Sequence, residues 1–189
     1  MAYLTRDQLD SLNFKSLGEN VQISSLASLY NTENIEIGDN SRIDDFCVIS
    51  GKVSLGSFVH ITPMCLIAGG KPGVEIKNYS TLAYGVKVFA QSDDYSGDSM
   101  VNSLIPKKFK NENFSAVLIE EHVVIGTNSV VFPGVKVSVG GSFGAMSLIN
   151  RNTESWSIYI GSPAKKIKNR SKLLLNKLND FKEEQNDCL

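Results

Sequence analysis

The sequence predicts an all-β protein, a parallel β-helix of hexapeptide repeats with an extruded loop and short N- and C-terminal helices. Three observations predict it. An aliphatic residue returns at every sixth position over long stretches of 17–149, a small or apolar residue stands two positions before it, and one long polar segment interrupts the beat. A helix repeats about every 3.6 residues and a flat strand every 2. Six fits neither, but it holds one short strand and a turn, and a fixed internal period names the architecture.

The beat runs Ile37, Ile43, Ile49, Leu55, Ile61, Ile67, then after a three-residue stutter Ile76, Leu82 and Val88. It resumes at Ile119, Ile125, Val131, Val137, Phe143 and Ile149, and an earlier round, Leu17, Ile23 and Leu29, precedes a two-residue slip. Residues i and i−2 of a strand point the same way. Partners such as Ile35, Cys47, Val53, Cys65, Ser80, Val117 and Ser129 therefore also point inward. Three hexapeptides close one triangular coil, so Ile37 stacks on Leu55, Ile43 on Ile61 and Ile49 on Ile67. About six coils at the strand spacing make a column on the order of 28 Å long. Glycines just after the beat (Gly18, Gly38, Gly56, Gly126, Gly144) and Asn or Asp nearby (Asn20, Asp39, Asn40, Asn128) are expected to supply the positive φ of tight corners.

Taken in order, residues 1–16 read as a helical cap. Thr5-Arg6-Asp7-Gln8 has the capping-box pattern and opens a helix to about Leu12, which plugs open strand edges. Residues 17–160 are the β-helix. Ala68-Gly69-Gly70-Lys71-Pro72-Gly73 is the stutter; Pro follows the lysine and no helix follows, so it is a corner bulge and not a phosphate loop. The extruded loop spans 93–116, and loops beyond roughly 12–15 residues are usually functional or disordered. Residues 161–189 form a tail and a helix over about Ser171–Glu184, with Leu174, Leu175, Leu178 and Phe181 on one face.

With Lys+Arg 19 against Asp+Glu 20, no basic excess points to nucleic acid. No apolar run approaches the roughly 18 residues of a membrane span, and the N-terminus shows no secretory pattern. The cysteines are Cys47, Cys65 and Cys188; the first two share an inward slot of adjacent coils and read as reduced core residues of a cytoplasmic protein.

The beat, the run Ile125-Gly126-Thr127-Asn128-Ser129-Val130-Val131-Phe132-Pro133-Gly134-Val135, the step Gly144-Ala145-Met146-Ser147 and the tail Gly161-Ser162-Pro163-Ala164-Lys165 resemble the hexapeptide-repeat acyltransferases. The resemblance is to the galactoside and maltose acetyltransferases and their relatives that acetylate surface-polysaccharide sugars, over roughly 17–170. It implies a left-handed β-helix, a homotrimer, active sites between neighbouring columns, and acetyl-CoA as co-substrate without a metal. A base takes the proton from the acceptor, which attacks the thioester carbonyl. The family's base is a histidine at the mouth of the extruded loop, and here that position holds Asp93.

The resemblance then suggests a composite catalytic site, His60 from one chain with Asp93 or Asp94 from the next. His122, in Glu120-Glu121-His122, reads as a solvated corner. The cofactor would run beside Gly126, Thr127, Gly144 and Ala145, with Met146 narrowing the groove, and Lys165, Lys166 and Arg170 near its phosphates. Trp156 is expected to cap the last coil. Asp93, Asp94 and Asp98 lack the rest of a calcium ligand set. Two histidines cannot supply a three-histidine zinc site of the carbonic anhydrase kind. The expected activity is O-acetylation of a sugar hydroxyl of a cell-surface polysaccharide or its precursor. The alternatives are N-acetylation of a nucleotide-linked amino sugar and a non-catalytic scaffold.

Overall fold

The computed structural model describes residues 2–187, and Cys188 lies outside the described residues. Short parallel strands wind into a three-faced prism. The first face stacks Ser16–Leu17, Ile35–Ile37, the ends of Val48–Leu55 and Leu66–Ile76, then Val117–Ile119 and Lys136–Val137. The second stacks Gln22–Ile23, Arg42–Ile43, His60–Ile61, Thr81–Leu82, Val124–Ile125, Ser142–Phe143 and Ser157–Ile160. The third stacks Ser28–Tyr30, the starts of Val48–Leu55 and Leu66–Ile76, Lys87–Phe89, Val130–Val131 and Leu148–Ile149. Six coils result, plus a seventh strand on the second face that the beat does not announce.

The predicted stacking is the observed register: Ile37 pairs with Leu55, Ile43 with Ile61, and Ile49 with Ile67. Every beat residue from Ile35–Ile37 onward is buried, as are the partners two positions before them. Where that partner is serine, the hydroxyl replaces a turn contact. Ser80 Oγ donates to Glu120 O (3.0 Å) and accepts from Val123 N (3.2 Å), and Ser129 Oγ does the same with Gly144 O and Ser147 N. A buried hydroxyl with both roles filled costs little.

The glycines after the beat serve a different purpose from the one expected. Positive φ falls two residues later, at Asn20, Asn40, Phe58, Asn128 and Met146. The glycines instead admit the next coil: a Cβ on Gly38 would lie 2.6 Å from Gly56 C, and one on Gly126 would lie 2.6 Å from both Ala145 N and Phe143 O. Coils one strand spacing apart leave no room there for a methyl group.

Helix α1 (Arg6–Ser11) forms with both halves of its capping box and buries Leu9 in the end of the column. Cys47 and Cys65 are buried free thiols, each donating to a carbonyl of the next coil. At the stutter, Leu66–Ile76 runs unbroken around the third corner beside Val48–Leu55, with the register shifting at Gly51. Gly69 passes so close to Lys52 O that any side chain would collide with it.

The C-terminal tail is not irregular. Lys165–Asn169 is a strand, antiparallel to Ser157–Ile160 on the second face. Helix α2 (Leu174–Asp187) starts three residues later than expected and half-buries Leu174, Leu175, Leu178 and Phe181, with Phe181 edge-on to Phe58 (centroids 5.4 Å apart). No helix among the described residues is long and apolar enough to cross a membrane.

Candidate active site

The chain leaves the third face after Phe89. Gln91–Ser92 pairs antiparallel with Asn113–Phe114, so a two-stranded stem holds the extruded loop before the coils resume at Val117. Ser115 N donates to Ala90 O at 3.0 Å, closing the base. Inside the loop Asp94 accepts from Ser96 N (2.9 Å), Ser99 Oγ (2.7 Å) and Ser96 Oγ (3.0 Å). Those donors, the Ser96 amide first, hold its carboxyl below the usual range. Asp94 thus shapes the loop.

Asp93 is differently placed. It lines a pocket of about 420 Å³ between the loop base and the third face, with Phe89, Gln91, Tyr95, Phe132 and Pro133. Phe89 and Phe132 come from successive coils, their centroids 6.5 Å apart. A carboxylate beside an aromatic wall can take a proton or accept a hydrogen bond from a bound sugar.

His60 projects from the second face. Its Nε2 donates to Asp44 Oδ2 at 2.9 Å, and Asp44 Oδ1 accepts from Arg42 Nε at 2.6 Å. The Asp44 side chain is only 3% exposed, whereas His60 is 38% exposed. Arg42 sits directly below His60 in the strand stack, under the ring of Tyr3 (5.6 Å). The orienting carboxylate expected from Asp93 or Asp94 of another chain is therefore supplied within the chain by Asp44. Within one chain His60 and Asp93 lie on different faces, and the fold does not bring them together.

Asp44 was missed by the sequence reading. Its signal was a carboxylate immediately after the beat residue Ile43, one coil below a histidine two positions out of register with it. Elsewhere on that face the same slot holds Ser24, Thr62, Ala83, Gly126 or Gly144.

Two other residues depart from expectation. His122 is not a solvated corner: its ring stacks on Tyr79 (5.3 Å, 7°) and faces Trp156 (6.2 Å), continuing a ladder that begins with Phe58 on Tyr79. Burial there pushes its pKa down. Arg170, expected near the cofactor phosphates, is engaged within the chain. Its Nη1 donates to His122 O (2.6 Å), Gly140 O (3.1 Å) and Gly141 O (3.4 Å), pinning the tail to the first corner. Trp156 lies over Gly140, where a Cβ would stand 2.5 Å from the indole, and so closes the last corner.

Lys165 and Lys166 lie on the added strand, and Lys166 Nζ meets Glu154 at 2.8 Å. Gly126, Thr127, Gly144 and Ala145 lie on the second corner, between the second and third faces. Their small size is accounted for by coil packing at Gly126 and Gly144. Met146 projects outward from that corner and is 67% exposed.

A left-handed hexapeptide prism with a stemmed loop over a carboxylate pocket defines a class, and the chain belongs to the hexapeptide-repeat acyltransferases. It is 40% identical over 185 residues, 96% of each chain, to dTDP-4-amino-4,6-dideoxy-D-glucose acyltransferase of Escherichia coli. The crystal structure of AntD, an N-acyltransferase from Bacillus cereus, in complex with dTDP and 3-hydroxybutyryl-CoA, superposes with a TM-score of 0.96 at 38% identity, covering 97% of this chain and 98% of that one. A hexapeptide-repeat acetyltransferase of Vibrio cholerae, 17% identical with a TM-score of 0.55 over 88% of this chain and 81% of that one, shares the fold. No family model matches.

Proposed function

We propose that this acyltransferase moves an acyl group from acyl-CoA to the amino group of a nucleotide-linked amino sugar. The observation that carries the reading is the end-to-end likeness to a dTDP-amino-sugar acyltransferase and to AntD. It favours the amino-sugar alternative over O-acetylation of a polysaccharide hydroxyl. The amine lone pair attacks the thioester carbonyl, the C–N bond forms, the C–S bond breaks, and the sulfur leaves as the CoA thiol. A base on the protein takes the ammonium proton, and that proton passes to the departing thiolate.

A homotrimer is the assembly we infer, because of an apolar stripe on the second corner. Leu26, Phe46, Met64 and Tyr84 stack there in successive coils, each more than half exposed. With that corner at a three-fold axis, the second face of one chain opposes the third face of the next. His60 of one chain then looks toward the Asp93 pocket of its neighbour. Asp44 accepts the hydrogen bond from Nε2–H, so Nδ1 is the ring nitrogen left to accept a proton. Acyl-CoA would follow the same edge, past Gly126, Thr127, Gly144 and Ala145 toward Lys165 and Lys166. Use of acyl-CoA and a nucleotide sugar supports a cytoplasmic location.

The test is thiol release and product mass, with dTDP-4-amino-4,6-dideoxyglucose and either acetyl-CoA or 3-hydroxybutyryl-CoA. Amide formation is the expected result. Turnover only with the analogue carrying a hydroxyl in place of the amine would return the reading to O-acylation.

A further inference from the structure

Four lysines converge where neither the catalytic site nor the acyl-CoA edge uses them. Lys71 comes from the stutter and Lys52 from the same corner of the adjacent coil, with Lys107 and Lys110 from the extruded loop. Together they line a pocket of about 870 Å³. Its one carboxylate is Glu112, which is tied to Lys110 at 3.1 Å. Among the described residues Lys52, Lys71 and Lys107 form no ion pair. Lys52, Lys71 and Lys107 therefore present positive charge that an anion in the pocket could meet.

Gly51 and Gly70 pair across adjacent coils below the pocket, and both hold positive φ (75° and 52°). They are close-packed, since a Cβ on Gly51 would lie 2.6 Å from Gly70 N and one on Gly70 2.7 Å from Gln91 Oε1. The Asp93 pocket adjoins this one, with Gln91, Ser103 and Glu112 as their common wall. A ligand reaching across that wall has an acidic, aromatic compartment at one end and a basic one at the other.

We propose that the lysine pocket binds the diphosphate of the nucleotide-sugar acceptor, with the amino sugar reaching past the stem to Asp93. The inference rests on the function proposed above and adds the acceptor's anchoring site. Lysines act as point charges on a diphosphate. The acyl-CoA phosphates, which share this chemistry, are assigned elsewhere because Lys165 and Lys166 lie on the second face, in the last coil.

The experiment is calorimetry of the whole protein with dTDP and, separately, with CoA. Lys71→Gln combined with Lys107→Gln alters two exposed side chains and leaves the core intact. The double variant is expected to bind dTDP at least about tenfold more weakly while CoA affinity stays within about twofold. Lys71→Arg with Lys107→Arg should restore dTDP binding, and Lys177→Gln on the exposed helix α2 should leave it unchanged. Unaltered dTDP affinity in the Gln variant overturns this inference alone. Loss of CoA affinity in its place assigns the pocket to the co-substrate and overturns it too. Failure of the unsubstituted protein to bind dTDP, UDP, GDP or CDP overturns the nucleotide-sugar reading together with this site.

Discussion

His60 Nε2 lies 2.9 Å from Asp44 Oδ2, and the same carboxylate receives Arg42 at 2.6 Å. Histidine and carboxylate belong to one chain, from adjacent rungs of the second face. The pair therefore orients the ring before any second chain or substrate arrives. His60→Ala is expected to lower kcat by about 10²–10⁴. Asp44→Asn should act in the same direction by a smaller factor, with KM for acyl-CoA unchanged. Steady-state kinetics decides it, and full turnover by His60→Ala would remove His60 from the chemistry.

Asp93 and His60 stand on different faces, so their cooperation needs two chains. Asp93→Asn alone and His60→Ala alone should each be nearly inactive. On the proposed trimer, mixed assemblies refolded from both variants together should regain part of the activity, because some interfaces then carry both intact residues. No regain in mixed assemblies confirmed by mass photometry would place the two residues in separate roles.

Gly126 faces Ala145 N and Phe143 O at distances that exclude a Cβ. Gly126→Ala should destabilise the fold by about 1–3 kcal/mol, as overpacking does. A urea midpoint measured against the unsubstituted protein reports this directly. An unchanged midpoint would mean that the coils separate at no cost.

His122 is held by burial in the Phe58–Tyr79–Trp156 ladder with a pKa below its usual value, Glu121 opposing the shift and Arg170 and Lys182 adding to it. The sign follows: the unfolded chain takes up this proton first, near pH 6.5. The contribution to stability is complete above that pH and is lost as pH falls toward the lower folded value. His122→Phe keeps an aromatic ring at a left-handed corner, which Phe58 already occupies at φ 57°. Its Tm should therefore drop less than that of the unsubstituted protein between pH 7.5 and 5.0. Parallel melting curves at both pH values would remove His122 from the acid response.

Much of the prism was legible because burial repeats with the backbone. Ile37, Ile43, Ile49 and their successors could be paired from spacing alone, and each pair forms. The capping box at Thr5 and Gln8 was equally legible, since it is a contact between near neighbours in sequence. Corners were harder. Gly38 and Asn40 both suggest a turn, yet only Asn40 has positive φ, because the glycine answers a constraint from the next coil.

The site was legible in part. Asp93 stood out as the residue after which the beat fails, and it does line a pocket. Asp44 did not stand out, because its meaning depends on His60 in the coil above. Arg170 carries a contact that spacing does not announce: beside a basic tail that suggests phosphates, its Nη1 closes three carbonyls of the first corner.

The sequence by itself determined the hexapeptide column, its interruptions and the family it resembles, because a six-residue period is a local property of the chain. Only the tertiary structure decided which polar groups meet. His60 with Asp44, Arg170 with the first corner, His122 with Tyr79, and the lysines of stutter and loop each come from different coils or from the loop. Each such meeting follows from how coils stack and where the loop folds back, and no periodic code in the chain records either.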